Sequence, residues 1–140
     1  MNYRLSCYSS SKSRKNCYIC ELKGRTVSQS VFRWVDAGHK ENMLEAVYRG
    51  LRSLRNVVQH EDTVYIEVQS KFLCDWLSGY QPYRSHIEYI DKVLVDLNGL
   101  DCKYMFVYRE KPYAEQVCAS TDVDRMPVKS FADFMNSLEE

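Results

Sequence analysis

Several signals that would narrow the function of this 140-residue chain are scarce or missing. Glycine (5) and proline (3) are few, which excludes collagen-like and other low-complexity architectures. No apolar run approaches the ~20 residues that span a bilayer. Residues 1–13 are polar and lack the apolar core of a signal peptide. There is no internal repeat, and neither sign of charge is in excess, with 19 Lys and Arg against 19 Asp and Glu. What is present is ordinary for a globular chain: 45% hydrophobic and 27% charged residues, which argues against wholesale disorder. These absences predict a soluble protein of the reducing cytoplasm, with no membrane partner.

The neutral total hides an asymmetry. Residues 1–35 carry seven Lys and Arg against Glu21 alone, a net +6, and the remainder carries 12 against 18, a net −6. A basic end on a neutral chain suits either a phosphate-facing surface or a solvated hairpin.

Cysteine and histidine do not form recognisable metal or disulfide patterns. The six cysteines (Cys7, Cys17, Cys20, Cys74, Cys102, Cys118) lie in apolar segments, where a thiol acts as a small hydrophobe. Cys17 and Cys20 have CxxC spacing but fall on an expected strand, where odd spacing points them to opposite faces. His39 and His60 are isolated, with no His-x-Glu or His-x₃-His spacing.

Hydrophobic periodicity divides the chain. Tyr3–Ser9, Asn16–Leu22 and Val27–Val35 read as strands joined by polar turns, an antiparallel meander. Leu44, Val47, Leu51, Leu54 and Val58 recur at helical spacing. Val64, Ile66 and Val68 alternate as a strand, and Lys71–Leu77 is a short helix stopped by Ser78-Gly79. A helix through Ile87–Leu97, a strand Lys103–Tyr108 and a helix Tyr113–Ala119 come next. Thr121–Pro127 reads as a loop, and Phe131, Phe134, Met135 and Leu138 form the stripe of a terminal amphipathic helix. The order predicts an α/β fold with a mixed sheet: three meander strands, then α/β crossovers with helices on the sheet faces.

Four segments carry a resemblance. Asn42-Met-Leu-Glu45-Ala-Val-Tyr-Arg-Gly50-Leu51 resembles the first-helix motif of ribonuclease H-like domains. Val64-Tyr-Ile-Glu-Val-Gln69-Ser70 stands where that family has its next strand and Asp-Ser motif, and Phe72–Tyr80 is similar to the adjoining segment of compact members. Phe106–Glu110 and then Ala114-Glu115 resemble the last strand and final Ala-Asp. The resemblance implies a five-stranded ribonuclease H-like sheet over residues 1–120, with 121–140 as an added loop and helix packed on it. In that family four carboxylates hold two divalent ions that hydrolyse the RNA strand of an RNA–DNA hybrid. Carried over here, the four positions are Ser9 (with Ser10 or Ser11 as alternatives), Glu45, Gln69 and Glu115, and only two are anionic.

The resemblance therefore implies a degenerate, non-catalytic module that binds nucleic acid, hybrid or duplex, or serves assembly, and that needs no cofactor. Two other readings stand beside it. One is a divergent Mg²⁺- or Mn²⁺-dependent nuclease using Glu45 and Glu115, helped by Glu67 or Asp36. The other is a protein-interaction domain, its partner or a second copy held by the terminal helix. For nucleic acid the candidate contacts are Lys12, Arg14, Lys15 and Lys71 to phosphates, Asn42 and Ser70 by the resemblance, and Tyr80, Tyr83 and Arg84 around one loop. Asn42 and Ser70 also suit helix caps.

Overall fold

The computed structural model describes residues 1–34, 38–79, 87–120 and 128–129. The meander forms as expected: β1 (Asn2–Ser9), β2 (Lys15–Leu22) and β3 (Arg25–Trp34) pair antiparallel in sequence order. Lys23 and Gly24 close the second hairpin with φ of 53° and 78°, the left-handed pair that a two-residue turn between right-twisted strands requires. Crossovers come next, through α1 (His39–Ser53) to β4 (Thr63–Val68), and through α2 (Lys71–Ser78) and α3 (Ile87–Asn98) to β5 (Lys103–Tyr108). Both β4 and β5 run parallel to β1. The chain then enters α4 (Tyr113–Ser120), and a two-residue strand, β6 (Val128–Lys129), pairs parallel with the edge of β3.

The sheet order is β5-β4-β1-β2-β3-β6. Five strands match expectation; the sixth is an addition that two residues of sequence pattern cannot reveal. The expected terminal helix, with Phe131 to Leu138, lies outside the described residues, as do Asp36, Tyr80, Tyr83 and Arg84.

Strand alternation sorts the core into two layers. Tyr3, Leu5, Cys7, Cys20, Val64, Ile66 and Val68 face α1, α2 and α3 in the main core. Cys17 and Ile19 face the other way and pack with Ala114 and Cys118 of α4. The CxxC pair is thus split across the sheet, and all six cysteines are free. Helix α1 begins earlier and ends earlier than its apolar stripe suggested. Leu54 is buried as its C-cap, and Val58 lies beyond the turn that follows rather than in the helix. Close approach of α1 to β1 depends on Gly50, where a Cβ would meet Leu5 Cδ1 at 2.6 Å. No helix among the described residues is long and apolar enough to cross a membrane.

Candidate functional site

Because β1 and β4 are parallel, both end on the same side of the sheet, where α1 and α2 begin. Ser9, the last residue of β1, stands in register with Asn16 on β2, which in turn stands opposite Phe32 on β3. Above this row, α1 presents Asn42, Glu45 and Arg49, spaced to share one helical face. Ser9, Asn16, Asn42 and Glu45 are all 0% exposed, a polar layer sealed between helix and sheet.

Each member of the layer has a definite bonding state. Ser9 N–H donates to Gln69 Oε1 at 2.6 Å, and Gln69 Nε2 donates to the Ser9 carbonyl at 3.0 Å. Ser9 Oγ lies 3.5 Å from His39 Nδ1. Burial, and then the positive charge of Arg14, hold the His39 imidazole below its ordinary pKa. Glu45 is ion-paired with Arg49 one turn on, whose guanidinium lies 4.2 Å over the Phe32 ring. Asn16 Nδ2 donates to the Arg14 carbonyl at 3.3 Å. Among the described residues, neither amide atom of Asn42 has a hydrogen-bond partner, nor does Asn16 Oδ1.

Glu115 and Glu67 stand outside this layer. Glu115, on α4, lines a cleft of about 200 Å³ with Tyr8, Ser10 and Lys15, which puts it beside Ser10, one of the alternative first-strand positions. Glu67 is a buried anchor. It accepts from Ser6 Oγ at 2.9 Å, from Tyr113 N–H at 2.8 Å and from Arg4 Nη2 at 3.0 Å, with Arg109 Nε at 3.7 Å. Ser6 Oγ also accepts from Ala114 N–H, so Glu67 and Ser6 together cap the start of α4.

No protein-family model matches the chain, and no curated protein matches it. Solved structures do. The N-terminal RNase H domain of rv2228c from Mycobacterium tuberculosis, solved as a fusion with maltose binding protein, superposes with a TM-score of 0.68 at 12% identity, over 99% of this chain and 96% of that one. LC11-RNase H1, solved in complex with an RNA/DNA hybrid, gives 0.66 at 14% identity over 83% and 92%. RNase H1 from the halophilic archaeon Halobacterium salinarum gives 0.63 at 12% identity over 84% and 94%. The chain has the ribonuclease H-like fold.

Ser9 and Glu45 of the layer, with Gln69 bonded to Ser9, stand at three of the four positions where the sequence resemblance to ribonuclease H-like domains places metal-binding acids. Two divalent ions need hard anionic oxygens around and between them. Here Ser9 and Gln69 are neutral and bonded to each other, while the carboxylate of Glu45 is engaged by Arg49. Among the described residues no three His, Cys, Asp or Glu side chains are grouped so as to hold a metal ion. These residues do not fit a two-ion centre.

The candidate phosphate contacts separate into three groups. Lys12 and Lys71 are exposed, at the β1–β2 turn and at the start of α2, on the same end of the sheet as the polar layer. Arg14 is partly buried beside them. Lys15 corrects the expectation of a surface contact. It is 7% exposed, and its Nζ donates to the Cys118 carbonyl at 2.5 Å, because strand alternation turns it with Cys17 and Ile19 toward α4. Asn42 meets neither expectation for it: Gly38 is the N-cap, and the buried amide cannot touch a ligand at the surface. Ser70 is the N-cap of α2 and accepts from Leu73 N–H at 3.2 Å. Sequence reasoning alone misses Asn16, His39 and Arg49. The i,i+4 spacing of Glu45 and Arg49 is a usable signal, whereas Asn16 and His39 enter only through hairpin register and helix placement.

Proposed function

We propose that this chain is a non-catalytic ribonuclease H-like module that binds nucleic acid, an RNA–DNA hybrid or a duplex, through its phosphate backbone. One observation carries the reading. At the two strand ends where hydrolysis would need acids, the Ser9 peptide and the Gln69 amide satisfy each other. The Arg49 pairing of Glu45 supports it by neutralising the remaining carboxylate of the layer.

The binding half of the proposal rests on the surface around that layer. Exposed Lys12, Lys40 and Lys71 gather at the end of the sheet where β1 and β4 finish and α1 and α2 begin. Lys40 lies 5.4 Å over the Trp76 ring, which keeps its stem along the surface between the two helices. Point charges of this kind position a phosphate backbone without reading bases. Among the structural neighbours, LC11-RNase H1 was solved with an RNA/DNA hybrid, which makes that ligand the first to test.

The test uses a labelled RNA–DNA hybrid with the purified chain and its Glu45→Gln variant, in Mg²⁺ and in Mn²⁺. Expected are retention of the hybrid on the protein and no cleavage above background by either form. Metal-dependent cleavage that disappears in Glu45→Gln would overturn the reading.

A further inference from the structure

The packing of α4 on β2 brings two cysteines from opposite ends of the chain together. Lys15, Cys17 and Ile19 alternate onto the β2 face that α4 covers, and Cys17 and Cys118 sit in the same small buried cluster with Ile19 and Ala114. The bond from Lys15 Nζ to the Cys118 carbonyl fastens the end of α4 beside that strand. Cys118 also lines the cleft with Tyr8, Ser10 and Ser13, so a small polar molecule entering there reaches its side of the cluster.

The two thiols are not equivalent. Hydrogen bonding with Cys17 draws the Cys118 thiol below its ordinary pKa against the opposing effect of burial, and the nearby Lys15 charge adds to the lowering. The same bond, together with burial, pushes Cys17 up. Cys7 and Cys20 are pushed up, first by burial and then by neighbouring groups of negative charge. Thiolate character and access select which cysteine an oxidant attacks.

We propose that Cys118 and Cys17 form a peroxide-responsive pair whose disulfide staples α4 to β2. The Cys118 thiolate attacks one oxygen of a hydroperoxide and the O–O bond breaks. This leaves Cys118 sulfenic acid, and the departing oxygen takes up a proton as water or alcohol. Cys17 sulfur then attacks the Cys118 sulfur and expels hydroxide, which leaves as water with the Cys17 proton. Two thiols and one hydroperoxide thus give one disulfide, one water and the reduced peroxide fragment. Disulfides of intracellular proteins are characteristically of this transient, redox-sensing kind, and a thiol reductant reverses the bond.

The wild-type chain is treated with hydrogen peroxide, alkylated without reduction, digested and read by mass spectrometry. The expected product is a Cys17–Cys118 linked peptide lighter by two hydrogens, lost on dithiothreitol treatment. Its formation is accompanied by an upward shift of several degrees in melting temperature, because the link closes most of the chain into one loop. Cys17→Ser should stop at a sulfenic acid on Cys118 that dimedone traps, and Cys118→Ser should leave the Cys17 thiol unoxidised. The proposal is overturned if both thiols are recovered free under conditions that fully oxidise glutathione. It is equally overturned if the urea-unfolded chain gives the same link in the same yield, or if Cys7 or Cys20 pairs in its place.

Discussion

Gln69 and Ser9 hold each other by two hydrogen bonds of opposite sense, one donated by the Ser9 peptide and one by the Gln69 amide. Only a side chain with both an acceptor and a donor completes this pair. A carboxylate accepts at both oxygens and donates at neither. Gln69→Glu would set an anionic oxygen against the Ser9 carbonyl, so the variant is expected to lose about 1–3 kcal/mol in urea unfolding. A variant as stable as the wild type would show that the pairing contributes nothing.

The strand–helix order was legible from periodicity because each element buries one face, and alternation or helical spacing records that face directly. The identities at Ser9 and Gln69 were legible too, as departures from an acidic pattern that Glu45 keeps. Their bonding state was not. The Gln69–Ser9 pair joins residues 60 apart, and the cap made by Glu67 and Ser6 at α4 joins residues 46 and 108 apart. Local patterning holds no record of such partners. Lys15 is an intermediate case: its spacing with Cys17 and Ile19 placed it on the α4 face, but a lysine in a basic hairpin reads as solvated until that face is seen to be covered.

Glu67 shows how a residue suggested as a spare metal ligand serves stability instead. It binds Arg4, Ser6 and the Tyr113 peptide at once. Glu67→Ala would leave Ser6 Oγ and the Tyr113 peptide without their acceptor at the joint between β1, β4 and α4, while half-exposed Arg4 is left to solvent, and is expected to cost about 1–3 kcal/mol. Thermal or urea unfolding measures it. Glu67→Gln retains acceptor capacity toward Tyr113 and Ser6 and should cost less than Glu67→Ala; equal losses would assign the effect to charge alone.

Gly50 sets how closely α1 lies on the sheet. An added methyl at 2.6 Å from the fully buried Leu5 forces the side chain or the helix to move. Helix propensity favours alanine over glycine by ~1 kcal/mol, whereas overpacking a core costs about 1–3 kcal/mol. Gly50→Ala is therefore expected to be net destabilising. The paired change Gly50→Ala with Leu5→Val, which removes the atoms in conflict, should recover part of the loss; failure to recover any would locate the strain elsewhere.

His39 gives the chain a pH dependence of definite sign. Its folded pKa is lowered from 6.5, by burial first and by Arg14 second. As pH falls through about 6.5, the unfolded chain takes up the proton before the folded chain does. Stability is then expected to decline as pH drops from 6.5 through the folded pKa, and to be unaffected by this residue above that window. His39→Gln should flatten melting temperature against pH between about pH 7 and 5. An unaltered profile in the variant would remove His39 as the source.

The proposed backbone binding predicts a salt signature that distinguishes surface cations from buried ones. Log affinity for a hybrid or duplex should fall linearly with log salt, with a slope of about −0.9 for each phosphate neutralised. Lys12 and Lys71 are exposed beside the polar layer, so Lys12→Glu with Lys71→Glu should lower affinity and flatten the slope by roughly 0.9 for each phosphate no longer neutralised. Lys15 supplies the contrast. Its Nζ is committed to the Cys118 carbonyl on the far face, so Lys15→Met should lower stability while leaving the salt slope unchanged. If the Lys15 variant flattens the slope and the Lys12 and Lys71 variant does not, the nucleic acid lies against α4 and the β2 face beneath it, not across the β1–β2 turn and the starts of α1 and α2. If neither variant moves the slope, phosphate contacts at this end of the sheet do not carry binding.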